Sequence, residues 1–142
     1  MKLQSLPCYC ATLRQAARAV TALYEQVLID AGLPATQHTA LQVLKAAPGM
    51  TTTELAEAIG IDQTTATRTL AHIRKSGLAV DTPGADRRER RWSLTTSGET
   101  TVRRLQPAWE AAQAAVERRL GRAEAAALKK AAYSAARKLA DE

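Results

Sequence analysis

Two stretches of this chain carry side chains suited to a polyanion. Gln63, Thr64, Thr65, Thr67 and Arg68 bring amide, hydroxyl and guanidinium groups together in one short segment, and such groups reach the base edges and phosphate oxygens of a duplex. Arg74 and Lys75 add positive charge at the end of the same segment. Further along, Arg87-Arg88-Glu89-Arg90-Arg91 sets four positive charges beside one negative, directly after Asp86. Arginines on a short loop suit a narrow, electronegative minor groove, which favours them through its width rather than through a base code. An ordinary solvated surface also presents charge runs, so the meaning of this one rests on what surrounds it.

Sulfur chemistry is the second possibility. Cys8 and Cys10 bracket Tyr9 near the start of the first amphipathic stretch, and three readings of them stay open. They are small apolar groups packed at a subunit interface. They are a redox pair, because a thiolate near a helix N-terminus is stabilised and passes reversibly through a sulfenic acid. Or they are soft ligands for a metal or metalloid, completed by His38, His72 or a second subunit. His38 and His72 are otherwise isolated. No nucleophile with its base, carboxylate pair, metal cluster or phosphate-cradling glycine loop stands at usable spacing, so neither catalysis nor a cofactor is expected.

The chain has 142 residues, enough for one domain with a core that needs no disulfide or metal staple. Twenty Lys+Arg against 14 Asp+Glu give a formal charge of +6, which favours a polyanionic partner. The absence of a bilayer-length apolar run and of a signal-peptide pattern leads to the expectation of a cytoplasmic protein with reduced thiols. Abundant alanine, no phenylalanine and few strand-favouring runs predict a mainly helical chain.

The spacing predicts a helix from about Pro7 to Ala31 on Leu13, Ala17, Val20, Tyr24, Val27 and Leu28, with Pro7 in its first turn and Gly32 past its end. A second helix is expected over Thr36–Ala47 on Ala40, Leu41 and Leu44. Thr51-Thr52-Thr53-Glu54 offers a capping box for a short helix through Leu55, Ala56 and Ile59. Gly60 permits a tight turn, and Asp62 caps the helix Gln63–Lys75, whose Ala66, Leu70 and Ile73 face the core. Leu78–Val80 and Arg91–Leu94 read as a two-stranded wing around the loop Pro83–Arg90.

Thr96-Ser97-Gly98-Glu99 repeats the capping pattern before a long helix on Val102, Leu105, Trp109, Ala112, Val116 and Leu120, kinked at Pro107. After Gly121, a last helix over about Ala123–Leu139 places Leu128, Ala132, Ala135 and Leu139 on one face. The expected class is mainly α: a winged helix-turn-helix with a two-stranded β wing and long N- and C-terminal dimerisation helices. Residues 1–142 form a single domain in this reading, with 36–96 as its DNA-binding core and 1–35 and 97–142 as the dimerisation helices.

From Leu55-Ala56 through Leu94-Thr95 the chain resembles the core of the multiple-antibiotic-resistance regulator (MarR) family. That family's wing pattern of Asp, any residue, Arg, five residues, Leu-Thr is matched by Asp86, Arg88, Leu94 and Thr95. The resemblance extends to the flanking helices. It implies a homodimeric regulator, a repressor, that binds a pseudo-palindromic operator in double-stranded DNA and responds to an effector, commonly a small aromatic or phenolic compound. It further implies that Asp86 holds the wing by pairing with an arginine, that Arg88 enters the minor groove, and that the helix Gln63–Lys75 lies in the major groove.

Within the family, the organic-hydroperoxide-sensing branch carries a reactive cysteine at the start of the first helix, with tyrosines donating hydrogen bonds to it. Cys10 matches that cysteine by offset, Tyr24 falls where one of those tyrosines stands, and Arg18 where a family arginine stands. Ala35 takes the place of the second tyrosine, with His38 close by. Release from DNA by oxidation of Cys10, resolved by Cys8, is therefore one implied signal. A thiol-based metal or metalloid sensor and a non-specific architectural DNA-binding protein are the alternatives, the latter expected to spread its basic residues broadly.

Overall fold

The structure is a computed structural model that describes residues 3–5 and 7–140. It contains two compact units, an inner one over Leu28–Pro107 and an outer one made of the flanking stretches.

In the inner unit a short 3-10 turn at Ile29–Ala31 leads to α2 (Ala35–Ala46), β1 (Met50–Thr51), α3 (Thr52–Ile59), α4 (Gln63–Lys75), β2 (Ala79–Pro83) and β3 (Arg90–Leu94). The helix α5 (Thr96–Leu120) begins here and runs through Pro107 into the outer unit. Leu41 and Leu44 of α2, Leu55 of α3, Leu70 and Ile73 of α4, Trp92 of β3 and Val102 of α5 form one buried cluster. Fully burying a side chain such as leucine is worth about 1.5–3 kcal/mol, so this cluster is what seats α3 and α4.

The sheet has three antiparallel strands in the order β1-β3-β2, one more than the wing expected from sequence. β1 has only two residues, Met50 opposite Trp92 and Thr51 opposite Arg91, too few to leave an alternating pattern. The hairpin is also longer than expected, since β2 extends to Pro83, which pairs with Arg90 at the last register position.

The first helix, α1 (Tyr9–Leu28), starts two residues after Pro7 and tightens into the 3-10 turn before Ala31. The start of α5 also differs from its sequence signature. Thr95, not Thr96, is the cap: its hydroxyl accepts from Gly98 N at 3.0 Å and donates to Gly77 O at 2.6 Å. Gly98 is glycine because of close approach. A Cβ built there would lie 2.0 Å from the carbonyl oxygen of Leu78, which already accepts from Thr95 N at 3.1 Å.

The outer unit consists of α1 as far as Val27, α5 from Ala108, and α6 (Arg122–Ala140), with Gly121 at φ 84° between the last two. The Tyr24 hydroxyl donates to the Gln113 side-chain oxygen, and burial, helped by the charge of Glu117, raises the pKa of the phenol. Among the described residues of α6 none is buried, and Leu128 and Leu139 face solvent in the isolated chain.

His38 of α2 is 1% exposed, and its Nε2 has no hydrogen-bond partner among the described residues. Burial pushes its pKa below the ordinary imidazole value, so the unfolded chain takes up a proton that the folded chain resists. Its contribution to stability is therefore complete above about pH 7 and is lost as pH falls through about 6.5. Urea unfolding at a series of pH values is expected to show this loss, and His38→Phe to shrink it. Gly98→Ala is expected to cost about 1–3 kcal/mol, seen as a melting temperature lower by roughly 3–10 °C.

Candidate nucleic-acid interface

The reading segment is built by two caps and a turn. Thr51 and Glu54 form the expected capping box, with Glu54 N donating to Thr51 Oγ1 at 3.1 Å and Thr51 N to Glu54 Oε2 at 2.8 Å. Gly60 closes α3 in the left-handed region at φ 71°, a conformation that glycine adopts without Cβ strain. Asp62 then caps α4, accepting from Thr65 N and from the Thr65 hydroxyl, both at 2.8 Å. The hydrogen bond from the Thr65 backbone, followed by that from its side chain, holds the Asp62 carboxyl below the usual carboxylate range.

These caps decide which groups of α4 remain available. Ala66, Thr69, Leu70 and Ile73 are buried, while Gln63, Thr64, Thr67, Arg68, Arg74 and Lys75 stand on the exposed side. Thr65 is half-buried and its hydroxyl proton is committed to Asp62. Thr67 donates to Gln63 O at 2.9 Å and keeps its acceptor lone pairs. One of the first amides of α4, Thr65 N, serves the Asp62 carboxylate, whose negative charge sits at this helix end, so the N-terminus is not the open phosphate seat that a free helix end would offer.

The wing loop is held by its own backbone. Gly84 N donates to Glu89 O at 2.8 Å, Glu89 N to Asp86 O at 2.9 Å, and Arg88 N to Asp86 Oδ1 at 3.1 Å. Asp86 therefore stabilises the loop by receiving a main-chain amide, and the arginine pairing implied for it is made by a different residue. Asp81 of β2 takes that role, with Arg90 Nε at 2.7 Å and Arg74 Nη1 at 3.2 Å from its Oδ2. Partial burial raises the Asp81 pKa, and the hydrogen bonds and charges of Arg90 and Arg74 outweigh this, leaving it below the usual range. Sequence reasoning missed Asp81 because a strand register, not a motif, brings it to these arginines; it lies opposite Trp92.

The wing arginines divide into two kinds. Arg91 is anchored, donating to Gly49 O at 2.9 Å and pairing with Glu89 at 2.7 Å. Arg87 and Arg88 are exposed, and among the described residues neither side chain has an ion pair or hydrogen bond, which is also true of Arg68. Arg88 and Arg90 of the wing, Gln63 and Thr67 of α4, and Thr51–Thr53 line one polar hollow of about 280 Å³. Donors for bases and cations for phosphates thus border a single recess.

Cys8 and Cys10 are both exposed. Cys8 Sγ accepts from Ala11 N at 3.5 Å, at the mouth of α1, and Arg14 Nη2 lies 3.3 Å from Cys10 Sγ. Tyr24 does not serve Cys10 within one chain. The two stand on one helix at opposite ends, about 21 Å apart at 1.5 Å per residue, and the Tyr24 hydroxyl is given to Gln113. Among the described residues no group of three His, Cys, Asp or Glu side chains is placed to hold a metal ion. His72 is exposed on α4, and His38 lies in the inner unit's core.

Residues 31–89 match the family model described as MarR family. The M. tuberculosis transcriptional regulator MosR, solved in complex with DNA, is 36% identical, with 90% of this chain and 98% of that chain covered at a TM-score of 0.70. NadR in complex with 4-hydroxyphenylacetate is 25% identical over 96% of this chain and 98% of its own, at a TM-score of 0.71. The apo form of MarR from E. coli shares the fold, at 20% identity, 92% and 98% coverage and a TM-score of 0.72. No curated protein sequence matches the chain significantly. No described helix is long and apolar enough to cross a membrane.

The two kinds of wing arginine are expected to separate on mutation. Arg88→Ala should weaken binding to duplex DNA roughly 3- to 10-fold and reduce the salt slope by about 1 while leaving the melting temperature unchanged. Arg91→Ala should instead lower the melting temperature, because it unties β3 from Gly49. Fluorescence-anisotropy titrations across a salt series, paired with thermal melts, check both.

Proposed function

The chain belongs to the MarR family of DNA-binding transcription regulators and is not an enzyme, and from that premise we propose that it acts as a homodimeric repressor of a pseudo-palindromic operator, released by oxidation of Cys10. The observation that carries the DNA-reading part is the shared recess of α4 and the wing, where Gln63, Thr67 and Arg88 converge. In this reading Gln63, Thr64, Thr67 and Arg68 meet base edges and phosphates in the major groove, with Thr65 holding the cap, and Arg87 and Arg88 follow the minor groove. Lys75 supplies charge at the margin, where Arg74 and Arg90 are paired with Asp81.

Dimerisation accounts for α1 and α6. Their Leu13, Leu128 and Leu139 are exposed in the single chain, and burying such stripes against a second copy is the usual end of amphipathic helices of this length. Two reading helices related by a two-fold axis would then contact successive major grooves, with half-site centres about 10 bp apart.

Oxidation would begin with the Cys10 thiolate attacking the terminal oxygen of a hydroperoxide. The O–O bond breaks, the departing alkoxide takes a proton from water and leaves as the alcohol, and Cys10 becomes a sulfenic acid. Condensation with the Cys8 thiol, of the same or the opposite subunit, forms a disulfide and releases water. Cys8 and Cys10 flank the first turn of α1, so an intrachain bond requires that turn to unwind. The Arg14 guanidinium beside Cys10 is suited to hold the thiolate.

A small aromatic acid is a second reading of the signal. NadR was solved with 4-hydroxyphenylacetate, and a cleft of about 480 Å³ in the outer unit is lined by Val20, Tyr24 and Val116 together with Arg122 and Lys129.

Selection from random duplex DNA is expected to return a dyad-symmetric site, and light scattering a dimer at micromolar concentration; a monomer, or a site without a dyad, argues against the dimeric reading. Dilute organic hydroperoxide should lower operator affinity at least 10-fold in the parent, reversibly with dithiol, and should leave Cys10→Ser unaffected. Equal loss in Cys10→Ser, or none in the parent, would remove the redox signal and favour the small acid.

A further inference from the structure

Among the described residues, Asp81 is the one carboxylate of the wing that contacts two guanidiniums, and its place in the fold gives it a further role. It sits in β2 with its side chain only 9% exposed, opposite Trp92 in the strand register. Arg90 reaches it from β3 through Nε at 2.7 Å. Arg74 reaches it from the last turn of α4, touching both carboxylate oxygens at 3.2 and 3.3 Å. The Arg74 guanidinium also lies over the Trp92 ring, 5.6 Å from its centroid.

Both arginines stand at the surface that the proposed function turns toward DNA. Arg90 lines the recess shared by α4 and the wing, and Arg74 lies on the exposed side of the reading helix. We propose that Asp81 is a specificity-determining residue that withholds the Arg74 and Arg90 guanidiniums from phosphate, lowering sequence-independent attraction while fixing the wing against the end of α4. Two positive charges and one negative then present a net of one to the duplex. In the operator complex the wing is seated by α4 and Arg88, and the two guanidiniums stay paired. Free guanidiniums would reach phosphates in the loose, shifting registers of random DNA, so holding them lowers random binding more than operator binding. Arg68, Arg87 and Arg88, which carry no such partner among the described residues, remain among the cations offered to DNA.

The inference rests on the DNA-binding reading, and the test keeps the two apart. Anisotropy titrations compare the parent, Asp81→Asn and Arg90→Gln on a random-sequence duplex and on the duplex recovered by selection with the parent, across a chloride series. Asp81→Asn is expected to bind the random duplex roughly 3- to 10-fold tighter at low salt, with a slope of log affinity against log salt steeper by about 1. Its gain on the selected duplex should be smaller, so the specificity ratio falls. Arg90→Gln should lose clearly less slope than Arg88→Ala, because the charge it removes is already committed.

A purely structural role for Asp81 would lower the melting temperature and leave the slope where it was. An unchanged slope in a folded Asp81→Asn protein, or a loss in Arg90→Gln equal to that in Arg88→Ala, overturns the clamp. The second comparison stands even where Asp81→Asn does not fold. A parent that bound neither duplex at any salt would overturn the DNA-binding reading and the clamp with it.

Discussion

Trp92 is where the parts of the reading unit are fastened to one another. Its ring is buried in the inner core, its strand is hydrogen-bonded on one side to β1 and on the other to β2, and its indole N–H donates to Thr52 Oγ1 at 3.0 Å. Thr52 is the first residue of α3 and Arg74, over the same ring, lies in the last turn of α4. One side chain therefore touches the entry to the helix-turn-helix, its exit and the base of the wing. An indole can do this because a large apolar body carries a single polar handle.

From that anchor the direction of the exposed groups follows. With α4 seated through Ala66, Leu70 and Ile73, the helical period turns Gln63, Thr64, Thr67 and Arg68 outward without further instruction. The hairpin, fixed at its base by Trp92 and by the tie from Arg91 to Gly49 O, carries Arg87 and Arg88 at its tip. Rigid placement matters for recognition because a side chain ordered before binding loses less entropy when it meets a base edge. The arginines that are tied down build the wing, and those that are not tied down are left for the ligand.

What was legible in the sequence was what short-range physics determines. The capping box at Thr51–Glu54, the Asp62 cap, the turn at Gly60 and the buried face of α4 are each written within a few consecutive residues, and each stands as read. The less legible features depend on partners far along the chain. β1 exists only because β3 passes beside it, and Thr95 displaces Thr96 as the cap because Gly98 must lie against the Leu78 carbonyl. The acidic partner of a wing arginine was sought at Asp86, inside the motif; Arg91 pairs instead with Glu89, and Arg90 with Asp81, which pairing across the hairpin brings to it. Tyr24 was linked to Cys10 by offset from a related branch, yet the length of one helix separates them within the chain.

The distribution of charge carries the last step of the argument. An excess of six positive charges draws the chain to any polyanion, and attraction of that kind does not discriminate among sequences. Discrimination requires that base-reading groups contribute a large share of the binding relative to phosphate-seeking ones. The fold moves the balance that way with acidic residues rather than by removing basic ones. Asp62 occupies the α4 N-terminus that a phosphate could otherwise take, Glu89 holds Arg91, and Asp81 holds Arg74 and Arg90. Three carboxylates beside the recess thus keep cations and amides engaged within the protein, leaving the polar face of α4 and the tip of the wing as the principal groups that a duplex can meet.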